Sequence, residues 1–235
     1  MLQVVRSVIR SFLNASFLIT VFVMSGFAQS SVRSVFQLWN EVQLIVPLKT
    51  GTDRDGKKVN KVTATFSGIA RLGRKPVDAL DDRTSALIDF RLSRHISVFS
   101  SVTVRRDEIT FRSAHREVRL DFGAVLSTTW KGFTFKDRNM FEHRFRIGRA
   151  DTDLYRNRLV VSHPLKHKEK VLFSPFISEE GYFEITSGRW VQSEFYAGIT
   201  RQLSKQTALD ISYLRNDSKP TPVNGLALTL KITVR

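Results

Sequence analysis

The chain contains no cysteine. That excludes a disulfide framework, a thiolate metal site, a cysteine nucleophile and a lipid-modified N-terminal cysteine. Beyond the N-terminal segment it also lacks any apolar run approaching the roughly 20 residues that a membrane-spanning helix needs. A protein of this sequence that lives in a membrane must therefore cross it as strands. No long helical period runs through the rest of the chain. Acidic residues are outnumbered, 22 Asp and Glu against 37 Lys and Arg, for a formal charge of +15 over 235 residues. An excess of that size means either a solvated cationic surface or affinity for nucleic acid, anionic lipid or an anionic solute. Hydrophobic residues still make up 42%, and the length suits one sizeable domain.

Charge is sparse at the start, where Arg6 and Arg10 are the only charged residues before Arg33. An apolar run from Ser11 to Val23 follows, then Gly26 and Ala28 at the −3 and −1 positions of a cleavage site. A positive start, a short apolar core and a small-x-small site are the parts of a secretory signal peptide. The expected division is a helical signal peptide over residues 1–28, cleaved after Ala28, and a mature domain over 29–235. The alternative is a membrane anchor, but the apolar core is short for one and is interrupted by Asn14.

The mature chain alternates with period two, which is the signature of strands because successive side chains point to opposite faces. Val62, Ala64, Phe66, Gly68, Ala70 and Leu72 lie on one face, and Lys61, Thr63, Thr65, Ser67, Ile69 and Arg71 on the other. Leu226, Leu228, Leu230, Ile232 and Val234 repeat the pattern against Ala227, Thr229, Lys231, Thr233 and Arg235. Weaker alternation runs through Ser85–Leu92, Val118–Leu126 and Val191–Thr200. Further strands are expected near Phe36–Pro47, Ile96–Arg112, Met140–Gly148, Leu154–Pro164, Val171–Glu184 and Ala208–Asn216. These are eleven segments. Loops are expected at Thr50–Gly56, Gly73–Asp82, Lys131-Gly132, Ser187-Gly188 and Asn216–Pro222. Pro175 fits poorly inside a strand, since it has no ladder donor. The segments mostly reach the roughly 9–11 residues that a tilted strand needs to cross a bilayer. The expected fold class is all-β: a single antiparallel up-and-down transmembrane β-barrel of about 10–12 strands, even in number as in single-chain bacterial barrels. A soluble sandwich or lipocalin-like barrel would alternate in the same way with its apolar face inward.

Charged residues collect on the faces opposite the apolar ones. The set is Arg71, Asp89, Arg91, Arg119, Asp121, Glu142, Arg144, Arg146, Arg156, Arg158, Glu194, Asp210 and Lys231. A lipid-facing arginine at the bilayer midplane costs about 2–4 kcal/mol, so these faces are expected to line a lumen. Two readings of that lumen stand side by side: a plug of salt bridges in a narrow barrel, or an anion-attracting pore. The dispersal of Lys and Arg over many strands argues against a nucleic-acid partner, which would need one patch with interleaved aromatics. The expected partners are outer-membrane lipid and lipopolysaccharide, the barrel-assembly machinery and a small anionic solute.

The stretch Phe141–Leu165, FEHRFRIGRADTDLYRNRLVVSHPL, resembles the DUF2490 family of bacterial outer-membrane proteins. The resemblance rests on Glu142-His143-Arg144-Phe145-Arg146, on Arg156-Asn157-Arg158 with Pro164, and on a following strand carrying Glu179 or Glu180. Phe36-Gln37-Leu38-Trp39 resembles the family's opening strand, and Phe195–Tyr213 its final Gly-containing strand pair. The resemblance implies an outer-membrane barrel and no particular activity. Gly225, Leu228 and Leu230 also look like an assembly signal in the last strand, although Arg235 stands where a terminal aromatic is usual.

An enzyme needs a nucleophile within reach of a base. Ser162 and His163 are adjacent, so in a strand they point to opposite faces. His143 shares a face with Phe141, Phe145 and Ile147. His163 and His167 have ligand spacing only on a helix. No catalytic residue, metal ligand or cofactor site is therefore assigned, and a lipid-acting enzyme is kept as the alternative. Trp130, Trp190 and Tyr196 are assigned to an interfacial girdle, with Trp39 and Tyr182 as further aromatics near strand ends.

Overall fold

The computed structural model describes residues 35–53, 55–73, 79–109, 113–168, 170–218 and 222–234. The expected signal peptide, and Arg235, lie outside the described residues. Twelve strands follow one another: β1 Val35–Thr52, β2 Lys58–Leu72, β3 Ala79–Arg91, β4 Ile96–Ile109, β5 Ser113–Trp130, β6 Phe133–Arg146, β7 Thr152–Ser162, β8 Leu165–His167, β9 Lys170–Glu184, β10 Arg189–Gln202, β11 Thr207–Ser218 and β12 Val223–Thr233. The three-residue β8 pairs only with β9, continuing the line of β7 past a break at His163 and Pro164. The other eleven form the barrel wall in sequence order.

Each neighbour pair in the wall is antiparallel except the one that closes it. β1 and β12 run parallel, in register from Val35 opposite Val223 to Ile45 opposite Thr233. This corrects the expectation of an even strand number. The eleven alternating segments correspond to eleven wall strands. In an up-and-down barrel with an odd count, the first and last strands point the same way, so only a parallel ladder can close it.

The strands are also longer than expected at several ends. β1 continues to Thr52 through a bulge between Pro47 and Lys49, which accommodates the proline. β3 begins at Ala79, so Asp81 and Asp82 belong to a strand and not to the expected loop. β11 likewise reaches Ser218. Pro175 sits where the partner of β9 changes from β7 to β8, and its carbonyl still accepts the His163 N–H at 3.1 Å. The two-residue turn between β5 and β6 is Lys131-Gly132, both with positive φ, as a tight hairpin that follows the strand twist requires.

Period two fixes which side chains enter the barrel. Phe66 and Phe122 face outward and are 51% and 59% exposed, whereas Glu142 and Glu180 face inward and are 0% and 2% exposed. The wall is thus apolar outside and polar inside, the inverse of a lipocalin-like container. Glycines such as Gly123 and Gly225 allow close approach within it. A Cβ on Gly123 would stand 2.5 Å from the Asn139 carbonyl and 2.7 Å from the Phe99 ring. One on Gly225 would stand 2.2 Å from the Gln37 carbonyl, across the parallel seam.

One part of the outer wall departs from the apolar rule. By register, Asp137 and Asn139 of β6, Tyr155 and Asn157 of β7, Glu179 of β9 and Ser193 of β10 all face outward. Asn157 donates to Asp137 at 2.7 Å and to Asn139 at 3.0 Å, the Tyr155 hydroxyl donates to Asn139 at 2.5 Å, and Ser193 donates to Glu179. Asp137, Asn157, Glu179 and Ser193 are buried.

Candidate functional site

Alternation on neighbouring strands places a band of arginines and carboxylates on the lumen side, nearer the end that carries the start of β1. Cross-strand register puts Glu142 of β6 beside Asp121 of β5 and Leu154 of β7. Glu142 accepts from Arg144 Nε at 2.5 Å and from Arg156 Nη1 at 2.5 Å, with Arg119 Nη1 at 3.9 Å. Glu180 of β9 accepts from Arg156 Nε at 2.9 Å and from Arg138 Nη2 at 2.8 Å. Arg156 therefore bridges the two buried carboxylates, and Tyr182 takes a further donor of the same guanidinium at 2.9 Å. Arginine suits this task because its planar fork can serve two acceptors in fixed geometry.

A second carboxylate cluster continues round the wall. Asp81 of β3 lies 2.5 Å from Arg83, 3.0 Å from Arg105 and 3.6 Å from Arg71. Glu117 of β5 lies 2.5 Å from Arg119 and 3.9 Å from both Arg105 and Arg146. Glu194 of β10 is held differently, by Gln192 at 2.7 Å, Tyr196 at 2.9 Å and Asn216 at 3.0 Å. A stack of flat groups then crosses the lumen. The Arg71 guanidinium lies 3.3 Å from the Trp39 ring centre, Trp39 meets Tyr196 edge-on at 6.5 Å, and Arg158 lies 5.2 Å over Tyr196. Those residues come from β2, β1, β10 and β7. Each contact joins an electron-rich face to a cation or a ring edge, which favours it beyond the area it buries.

Every member of the expected lumen set lies on the inward face. They do not all meet. Arg71, Arg119, Asp121, Glu142, Arg144, Arg146, Arg156, Arg158 and Glu194 belong to the band just described. Asp210 and Lys231 form a separate pair at 2.5 Å toward the opposite end, where Asp89 and Arg91 also lie. Arg83, Arg105, Arg138, Asp81 and Glu117 join the network without having been picked out from the sequence, and Glu180 joins it having been named only through the family resemblance. Arg83 lay on the same alternating face as Asp89, and that period was a usable signal.

Three aromatics are placed differently. Tyr196 is not interfacial; it is directed inward, and its hydroxyl donates to Glu194 while its ring joins the stack. Trp39 and Tyr182 are also lumenal and buried. Their positions near strand ends misled, because end position says nothing about face. Trp130 is 62% exposed beside its turn, with Lys131 at 4.8 Å over its ring, and Trp190 packs on outward Phe183 at 5.4 Å. Of the two glutamates that could carry the family motif, Glu180 enters the lumen and Glu179 faces outward. His143 is outward, 2.6 Å from Asp153, and His163 stacks on Phe133 at 4.5 Å.

The charged motif residues Glu142, Arg144, Arg146, Arg156 and Arg158 of the family resemblance therefore belong to the lumen network. Comparison with known proteins agrees with that resemblance. Among curated proteins no sequence match is found. Among solved structures, an anion-selective porin from Comamonas acidovorans aligns with 76% of this chain at 13% identity and a TM-score of 0.35. The chain spans 58% of that porin's length. A family model described as protein of unknown function, DUF2490, matches residues 36–224. Matching most of the chain, it settles the family: this β-barrel protein belongs to DUF2490.

Proposed function

We propose that this protein is an outer-membrane barrel of structural or transport type, exported by its N-terminal segment, with a lumen occluded by side chains and not open as a wide pore. The observation that carries the reading is the pair of buried inward carboxylates, Glu142 and Glu180, each shared among arginines of different strands. A hydrated wide pore would leave such groups in water, where exposed pairs contribute little. Here they are buried and interlocked, and the Arg71, Trp39, Tyr196 and Arg158 stack joins β2, β1, β10 and β7 across the lumen. The outward band of Phe66, Phe90, Val104 and Phe122 supports a lipid setting for the wall, since exposed apolar side chains over many strands would be costly in water.

The test has two stages. Membrane fractionation with alkaline or urea extraction, followed by gel mobility with and without heating, should retain the protein with the outer membrane and show a heat-dependent mobility. Planar-bilayer recording should then give small or no steps for the native barrel. The Trp39→Ala/Tyr196→Ala variant should open larger ones. Release into the soluble periplasmic fraction would refute the membrane setting, and large native steps would refute occlusion.

A further inference from the structure

The lumen network encloses a cavity of about 130 Å³ with almost entirely polar walls. Arg71, Arg83, Arg105, Arg119 and Arg144 line it from five consecutive strands, β2 to β6, and Glu194 is its one carboxylate. It lies at the end of the barrel where β2 and β6 finish: Arg71 is the penultimate residue of β2, and Arg144 is two residues from the end of β6. From these features we infer that the cavity is a binding site for a small free oxyanion, of the phosphate, sulfate or carboxylate class.

Three observations carry the inference. First, the register sets like charges directly opposite one another. Arg83 pairs with Arg105 across β3 and β4, and Arg119 pairs with Arg144 across β5 and β6. Such pairs are unfavourable in a sheet unless something between them carries the opposite charge. Second, among the described residues the carboxylates Asp81, Glu117 and Glu142 beside the cavity are each shared by several arginines. Asp81 serves Arg71, Arg83 and Arg105, while Glu117 and Glu142 are also drawn on by Arg146 and Arg156 from outside the cavity. Glu194 is satisfied by neutral donors, so it leaves the arginines their remaining valence. Third, Arg71 is fixed in orientation by Trp39, lies 3.6 Å from Asp81, beyond hydrogen-bond reach, and has a buried Nε–H with no acceptor. A cation held in place with a donor unused and buried suits an oxyanion, because an uncompensated buried charge is costly. The volume corresponds to about four waters at ~30 Å³ each, which is the scale of one small oxyanion with residual water.

A lipid phosphate has the same chemistry, but its acyl chains would have to pass through a hydrogen-bonded wall, so the free ion is the expected ligand. The experiment uses the barrel folded in an uncharged detergent, first shown to be heat-modifiable by gel. Inorganic phosphate binding is followed by calorimetry and by thermal shift against chloride at equal ionic strength. Phosphate should bind with clear preference over chloride. Arg71→Gln should weaken it at least tenfold, Glu194→Gln should tighten it several-fold, and Lys231→Gln, in the other cluster, should leave it unchanged. Because the Glu194 variant removes a repelling charge, a gain in affinity cannot be explained by misfolding. A folded, heat-modifiable barrel that does not distinguish phosphate from chloride, or whose Arg71 and Glu194 variants bind like the parent, overturns the site while leaving the barrel reading intact. Competition by phosphatidylglycerol vesicles would overturn its lumenal position.

Discussion

Replacing Glu142 by glutamine probes the lumen network where it is most buried. The Glu142 side chain is fully buried, accepts from Arg144 and Arg156 at 2.5 Å each, and has Arg119 at 3.9 Å. Glutamine keeps the volume and one acceptor oxygen but removes the charge, so three guanidinium groups lose a shared counter-ion. Removing one partner of a buried ion pair typically costs about 3–5 kcal/mol, because the remaining charge stays desolvated. With a urea slope of about 2 kcal/mol/M, the unfolding midpoint should fall by roughly 2 M. Tryptophan fluorescence on the barrel folded in detergent can follow this. Asp210→Asn is the internal comparison, because Lys231 and Asp210 keep 33% and 17% side-chain exposure, and a solvated pair is worth about 0–1 kcal/mol. The double variant Glu142→Gln/Arg156→Gln should cost less than the sum of its single changes, since removing the cation relieves part of the imbalance. If Glu142→Gln costs no more than Asp210→Asn, or if the cycle shows no coupling, the network is not a desolvated unit and the occluded-lumen argument fails.

Further outcomes follow from the face assignments and the closure. Phe122→Arg, on the outward face, should lower bilayer stability by about 2–4 kcal/mol if it lies near the midplane, and folding titrations in liposomes would read this. Gly225→Val places atoms against the Gln37 carbonyl at the parallel seam, so the heat-modifiable gel form should be lost or much reduced. Brominated lipid should quench single-tryptophan variants retaining Trp130 or Trp190 and spare one retaining Trp39; equal quenching of all three would refute the assignment of faces.

Much of this protein could be read from alternation alone. Period two marked eleven strands and sorted Arg71, Glu142, Arg144, Arg156 and Arg158 from Phe66, Phe122 and Leu228, because a strand sends neighbouring side chains to opposite sides whatever it pairs with. Only the tertiary structure decided how the wall closes, since strand polarity at the seam depends on the total count and not on any local residue. It also decided which charges meet. Arg156 finds Glu142 and Glu180 through ladders that join β7 to β6 and β9, and Arg71 finds Trp39 through the ladder between β1 and β2. The polar outer seam of Asp137, Asn157, Glu179 and Ser193 was likewise settled by register, whereas Tyr196, two residues from Glu194, already shared its face by alternation. Sequence order sets a side chain's face relative to its neighbours, but the partner across the ladder, and hence the counter-charge, is non-local.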